Sequence, residues 1–446
     1  MQKILFKNIT VVNEFKKETV DVLVEGERIS RIDPRIQVPF QVREINGEGK
    51  LLLPGVIDDQ VHFREPGLTH KATIATESAA AAAGGVTSFM EMPNTIPNAL
   101  TLDLLEDKYR IATATSAVNY SFYMGVSNTN AEEVLKVNRH KEDICGVKIF
   151  MGSSTGNMLV NDPVTLNRIF AETEMLIATH CEDETRIQRN LQQLLENGIE
   201  PGPAHHPVIR DAEACYLSSL YAVQLATKHQ SRLHILHIST ADELPLFGNM
   251  MPLHEKRITT EVCVHHLHFT ADDYARLGYA IKCNPAIKAP HHRDALWGAL
   301  KDDRLDVIAT DHAPHLWSEK QPPYDKAHAG LPLVQHALPL MLYYVEEGKI
   351  RLEQVVHKMS HAVATCFNIK DRGFIREGYY ADLVVVNNQV SQTVSKDNIR
   401  YKCGWSPLEG FTFPHRIEST FVNGQAVYDN GSINRDVRGM RLKFNR

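Results

Sequence analysis

The sequence predicts an α/β protein: a (β/α)8 barrel of the TIM type, with a small β-sandwich domain formed by both termini. Three observations predict it. Short apolar runs alternate with helical segments through the middle of the chain. The two ends are strand-rich and differ from that middle. Polar residues recur at the C-terminal ends of one apolar run after another, as far as the last.

The elements follow in order. "KILFKNITVV" and "VDVLVEGERISRID" read as short alternating strands with a turn at Glu25-Gly26. The far end, "GFIREGYYADLVVVNNQ" and "IESTFVNGQAVYDNGSI", has the same character, with Asn-Gly turns at 423–424 and 430–431. Between them, "LLLPGVIDDQVH" is followed by "GGVTSFMEMPN", "NYSFYMGVSN", "CGVKIFMGSS", "EMLIATHCED", "RLHILHIST", "TTEVCVHHLHFT" and "LDVIATDHAPH". Helical segments such as "KATIATESAAAAAGG", "AEEVLKV" and "RDAEACYLSSLYAVQLATKH" separate many of these runs, giving about eight strand–helix units. A doubly wound open sheet is the rival, but it spreads strand ends along an edge, whereas a barrel gathers them around one mouth. The expected division is 1–53 and 371–446 for the outer domain and 54–370 for the barrel.

At 446 residues the chain can bury a large core. Its 43% hydrophobic and 23% charged content is ordinary for a globular protein. A net charge of −6 supplies no basic field for nucleic acid, and nothing argues for a membrane surface. The start lacks a continuous apolar core, so no signal peptide is expected. The seven cysteines are odd in number and never spaced C-x-x-C, which points to buried free thiols and a reducing cytoplasm.

The strand-end residues carry the chemistry: His62, Lys148, His180, His237 and Asp311. Imidazole and carboxylate are usual ligands for zinc and similar ions. A single histidine such as His234 or His268 is more often hydrogen-bonded or at the surface, but five such residues around one mouth predict a metal site. Lys148 repels a cation as an ammonium. After an apolar strand its neutral amine is favoured, and that amine can add carbon dioxide to become a carbamate able to bridge two metals. Metal binding brings the pKa of water near neutrality, and an aspartate such as Asp311 can take the proton and return it to a leaving nitrogen. Arg64 lies two residues past His62 and offers a fork for a carboxylate. Asn94, Asn284 and His315 complete a substrate set, although an asparagine beside Pro93 also reads as a turn residue.

"PGVIDDQVHFREPG", "GGVTSFMEMPNT", "GVKIFMGSS", "ATHCED", "HILHIST", "VHHLHFT", "KCNPAIK", "IATDHAPH" and "AGLPLVQHALPL" together resemble class I dihydroorotases of the amidohydrolase superfamily, over nearly the whole chain. The resemblance implies reversible cyclisation of N-carbamoyl-L-aspartate to dihydroorotate, the third step of pyrimidine synthesis, with one or two Zn2+ ions per subunit. It implies His62 as an α-metal ligand, carbamylated Lys148 as the bridge and His180 and His237 as β-metal ligands. Asp311 is then an α-ligand and general acid/base. Arg64, Asn94 and His315 resemble the grip on the substrate carboxylate, and Asn284 the contact to the ring amide. The segment from "HLWSEK" to "HAGLP" resembles a loop closing over substrate, with backbone contacts around Gly330 and Pro332; Leu333 replaces a glycine common there. A homo-oligomer, most simply a dimer, and an association with aspartate carbamoyltransferase are the partners the resemblance implies.

One position departs from it. The family opening is D-x-H-x-H, and Gln60 stands at its first histidine. Glutamine offers a neutral and weaker ligand oxygen. Three outcomes stay open: α-metal binding through Gln60, binding without it, or a β-metal alone. Two other functions compete with the enzyme: a non-catalytic scaffold for aspartate carbamoyltransferase, which Gln60 alone favours, and another cyclic-amide hydrolase such as an allantoinase or hydantoinase, against which Arg64 and Asn94 argue.

Overall fold

The computed structural model describes residues 3–152 and 158–446; Ser153 and Ser154, which close the "GVKIFMGSS" motif, lie outside the described residues. The chain opens with five strands: β1 (Lys3–Asn13), β2 (Lys16–Glu25), β3 (Arg28–Asp33), β4 (Arg43–Asn46) and β5 (Lys50–Pro54). Eight further strands follow: β6 (Val56–Val61), β7 (Val86–Glu91), β8 (Asn119–Gly125), β9 (Gly146–Phe150), β10 (Leu176–His180), β11 (Arg232–Ile235), β12 (Ile258–Cys263) and β13 (Val307–Ala309). These eight pair in sequence order, every pair parallel. The ring closes just past the last strand, where Val61 forms a parallel bridge with His312 and the His62 N–H donates to the His312 carbonyl at 2.7 Å. The expected barrel is therefore present, and its strand ends share one mouth.

Parallel strands need crossovers, and helices supply most of them. Helix Ile74–Ala83 starts at Thr73, whose hydroxyl accepts from the Thr76 N–H, and its alanine-rich body packs flat on the barrel. Helix Ala212–His229 starts at Asp211 in the same way and ends at Gln230 in a left-handed conformation. The "AEEVLKV" segment yields only a short helix, Ala131–Leu135, because its polar run buries a single residue, Val134.

Both ends of the chain build one nine-stranded sheet. It joins β1–β5 to β14 (Leu383–Asn387) and to strands Arg416–Val422, Gln425–Asp429 and Ser432–Ile433. Ile4, Phe6, Val22, Val24, Leu383 and Val385 form an apolar cluster on alternate residues, the period of a strand buried on that face. Both Asn-Gly pairs make turns with positive φ at each residue (Asn423 49°, Gly424 74°, Asn430 45°, Gly431 91°). The strand read from 373 onward begins only at Leu383. The preceding backbone instead turns at Gly378 and bonds to the β2–β3 hairpin, with Ile29 N–H donating to Tyr379 O at 2.9 Å.

Only Gly55 separates β5 of the outer sheet from β6 of the barrel, and a Cβ there would sit 2.0 Å from Thr87 Oγ1. The close passage from sheet to barrel requires glycine. A buried polar knot ties the two units further. Arg372 pairs with Asp382, Asp382 accepts from Asn119 Nδ2 of β8 at 3.1 Å, and Asn423 Nδ2 donates to Asn119 Oδ1 at 2.9 Å. All seven cysteines are free. Among the described residues no helix is long and apolar enough to cross a membrane.

Asp382→Asn leaves Arg372 buried beside a neutral amide. The expected loss is about 3–5 kcal/mol of unfolding free energy, measured by urea denaturation. A loss within about 0.5 kcal/mol, the level of an ordinary surface substitution, would show that this knot does not hold the sheet to the barrel.

Candidate active site

Past the C-terminal ends of the barrel strands lies a cleft of about 460 Å³, the size of a small-molecule site. His62, Arg64, Asn94, His180, His237, Asn284, Asp311 and His315 line it, as does Gln60. Lys148 does not reach the cleft surface; it is 0% exposed, and its Nζ has no hydrogen-bond partner. Three of these side chains are aimed by left-handed backbone: His237 at φ 41°, Asp311 at 47° and Arg64 at 68°. Such conformations are costly for residues other than glycine and collect at functional sites.

The nitrogens and oxygens meet in two places. His62 Nε2 stands 3.1 Å from Asp311 Oδ1, while His62 Nδ1 is 2.7 Å from Asn94 Oδ1. Since the Asn94 oxygen only accepts, Nδ1 carries the proton, and the Nε2 lone pair faces the carboxylate. Burial lowers the His62 pKa, with Asp311 pulling the other way. A lone pair facing a carboxylate oxygen at that distance is repulsive without a cation between them. At the second place His180 Nδ1 lies 2.9 Å from His237 Nε2. Burial lowers both histidines, His237 well below the ordinary value. Both loci fit a metal ion: neutral imidazoles, a carboxylate and converging lone pairs.

Lys148 is the fifth member. Burial lowers its ammonium to about 7, so a neutral amine is accessible near neutral pH. Gln60 offers no charge to either locus. Its Nε2 donates to Asp311 Oδ1 at 3.3 Å, and its Oε1 lies 3.8 Å from the Cys263 sulfur.

Arg64 is buried, and burial lowers its pKa to about 10. Its Nε donates to the Pro314 carbonyl at 3.1 Å, and one terminal nitrogen lies 3.0 Å from His315 Nε2. Lys71 Nζ reaches His315 Nδ1 at 3.1 Å and pairs with Glu319 at 3.0 Å, so the positive charge of this wall is the Arg64 guanidinium. Asn284 also lines the cleft, and its side-chain oxygen lacks a partner. His328, Ala329 and Gly330 complete the rim. A Cβ on Gly330 would meet the Ala313 carbonyl at 2.4 Å. The loop that carries them is pinned by Lys320, whose Nζ donates to the carbonyls of Lys282, His328 and Gly330 at 2.9–3.0 Å.

Sequence reasoning missed several supports. Glu182 Oε2 lies 3.0 Å from His180 Nε2, an ion-pair contact rather than a well-directed hydrogen bond, and it also pairs with Arg210 of the cleft wall. Burial opposes the Glu182 charge, but Arg210 and His180 outweigh it and hold the carboxyl down to about 2. Its place two residues past His180 in "ATHCED" was the available signal. Glu91, at the end of β7, accepts from the Phe63 N–H at 2.8 Å and pairs with buried Lys108 at 3.0 Å, fixing the backbone between His62 and Arg64. His312 Nδ1 accepts from the Leu333 N–H at 2.9 Å, and its other nitrogen is 2.8 Å from Glu77, which ties the loop's end to the residue after Asp311.

The chain matches the amidohydrolase family over residues 51–427. It is 34% identical to a dihydroorotase of Methanosarcina acetivorans, across 97% of this chain and 94% of that protein. An allantoinase of Deinococcus radiodurans is 27% identical, across 99% and 98%. Among solved structures, the L-hydantoinase from Arthrobacter aurescens has a TM-score of 0.90 at 26% identity and covers 97% of this chain and 98% of that one.

Proposed function

This chain belongs to the amidohydrolase family, and we propose that it is a dihydroorotase, a metal-dependent cyclic amidohydrolase that interconverts N-carbamoyl-L-aspartate and (S)-dihydroorotate. One observation carries the choice of substrate. Arg64 places a buried guanidinium, beside a neutral His315, in the same cleft as the ligand-type residues, where a cyclic ureide bearing a carboxylate would sit. A neutral hydantoin or allantoin has no carboxylate for that wall.

His62 and Asp311 would hold one Zn2+ ion, His180 and His237 another, with carboxylated Lys148 between them. When bound, the metal supplies a Lewis acid that polarises the amide carbonyl and lowers the pKa of water. The protein supplies the rest. Arg64 and His315 fix the substrate carboxylate. Asn94 accepts from His62 through its oxygen and keeps its amide N–H groups for the same carboxylate. Asn284 offers its unpartnered oxygen to a ring N–H. Asp311 holds the proton at its carboxylate and delivers it to the nitrogen that leaves when the ring opens. In the reverse direction it takes that proton back as the ring closes. The segment around Gly330 excludes water from the closed cleft.

A panel of dihydroorotate, allantoin and hydantoin should give the highest kcat/KM on dihydroorotate. Arg64→Ala should raise KM for dihydroorotate about 10–100-fold, the worth of one charge-assisted hydrogen bond or two, and leave neutral rings unaffected. Equal use of all three by the parent protein would sink the carboxylate assignment.

Asp311→Asn should cut kcat by about 10²–10⁴-fold while the His180–His237 locus keeps its Zn2+ by elemental analysis. Unchanged kcat would remove the proton-shuttle role. For Lys148, protein prepared in 13C-bicarbonate with Zn2+ should show a carbamate carbon resonance that Lys148→Met lacks. The same spectrum from both proteins would refute the carbamate.

A further inference from the structure

Three residues before His62 and three before His237, one layer deeper in the barrel, Asp59 of β6 and His234 of β11 meet Glu261 of β12. All three are 0% exposed. One ligand atom from each lies within 4.8 Å of the others, and His234 Nε2 is 3.0 Å from Asp59 Oδ2. Both Asp59 oxygens, His234 Nε2 and Glu261 Oε2 lack any hydrogen-bond partner.

Thr259 gives its hydroxyl proton to the Leu233 carbonyl at 3.4 Å and lies 2.7 Å from His234 Nδ1. Thr259 thus orients the imidazole through Nδ1, and Nε2 faces the two carboxylates. Glu261 is anchored through its other oxygen, which accepts from the His237 N–H at 2.9 Å and the Cys263 thiol at 3.2 Å. Lys148 Nζ makes no hydrogen bond to Glu261 either. Two carboxylates with unpartnered oxygens thus face one imidazole in a dry interior, where unpaired charge is expensive.

We propose that Asp59, His234 and Glu261 form a structural metal site, distinct from the one at the cleft, that takes a divalent ion of the Zn2+ or Mn2+ class. The donor set is one imidazole nitrogen and three carboxylate oxygens if Asp59 binds through both. Two carboxylates neutralise one dication, which is the charge balance a buried site requires. Bonds of about 2.0–2.2 Å put neighbouring tetrahedral ligands roughly 3.4 Å apart, so the triad closes on an ion with shifts of about 1 Å. Tyr123, whose hydroxyl donates to the Asp59 carbonyl at 3.0 Å, and Phe367, whose ring lies 5.4 Å from that of His234, pack around it. None of the three side chains lines the cleft, so the ion enters as the chain folds and exchanges slowly afterwards. Bound there, it clamps β6, β11 and β12, three strands of the ring that carries the catalytic cleft.

The test needs no substrate and is independent of the proposed activity. Protein expressed with added Zn2+ or Mn2+ is treated exhaustively with dipicolinate, which strips the accessible cleft, and the remaining metal is counted. The parent should retain one equivalent; Asp59→Asn and His234→Gln should retain none. Anomalous diffraction from untreated parent crystals should show a peak inside the triad as well as any at His180 and His237. A stripped parent without metal and no anomalous peak at the triad would overturn the site and leave protons as its counter-charges. Variants that fail to fold leave the parent count and the anomalous map to decide.

Discussion

Closure of the barrel between β6 and the residues after β13 is the constraint on which the site depends. The Val61–His312 bridge and the His62 N–H bond to the His312 carbonyl bring the first strand end against the last. Only this contact puts His62 and Asp311, which lie 249 positions apart, at 3.1 Å. The same closure lets Arg64 reach Pro314 and His315. Glu91 and Lys108 hold the first strand's exit from one side, and His312 with Glu77 holds the last from the other. The helices and outer sheet bury the apolar area that keeps the ring shut; the ring itself spends little of its interior on apolar contact near the mouth.

That interior is instead filled with polar groups whose charges burial disfavours. Desolvation is the first cause behind the lowered histidines and behind Lys148 near 7. An apolar barrel of the same size would be cheaper to fold, since buried polar groups repay their desolvation only when well partnered. Here several are not partnered, and their lone pairs converge. The economical account is that the fold leaves them ready for cations, two ligand loci at the mouth and one triad below. Glu182 shows the complementary device, a carboxylate kept ionised by Arg210 beside a histidine whose other nitrogen faces the locus.

What the sequence made legible follows from periodicity. Eight apolar runs with polar ends were enough to foresee the barrel and to gather eight of nine chosen residues into one cleft, with Lys148 buried. Asn423-Gly424 and Asn430-Gly431 announced their turns because type I′ geometry needs φ above zero at both residues. Lys71 was not legible, since it acts through His315, 244 positions along the chain, whereas Glu182, two residues past His180, carried a signal that passed unread. Asp59 was hidden for a different reason. Strict alternation from Gln60 and His62 sends it to the outer face of β6, but the pairing of β6 with β7 shifts register between Asp58 and Val61. That irregularity turns Asp59 inward, and no period-two reading finds it.

Gln60 gains its meaning from the same register. A histidine there would add a third strong donor beside His62 and Asp311. The amide instead donates to Asp311, and its oxygen lies 3.8 Å from the Cys263 sulfur, whose one proton has the nearer acceptor Glu261 at 3.2 Å as its alternative. The two loci at the mouth become unequal: His180 and His237 present two imidazoles, whereas His62 and Asp311 present one imidazole and a carboxylate already steadied by a neutral amide. Holding Asp311 by an N–H rather than by a competing ligand keeps one of its oxygens oriented and leaves the other for proton transfer. The substitution that looked like a lost ligand is better understood as a change in what anchors Asp311, the residue proposed as acid/base.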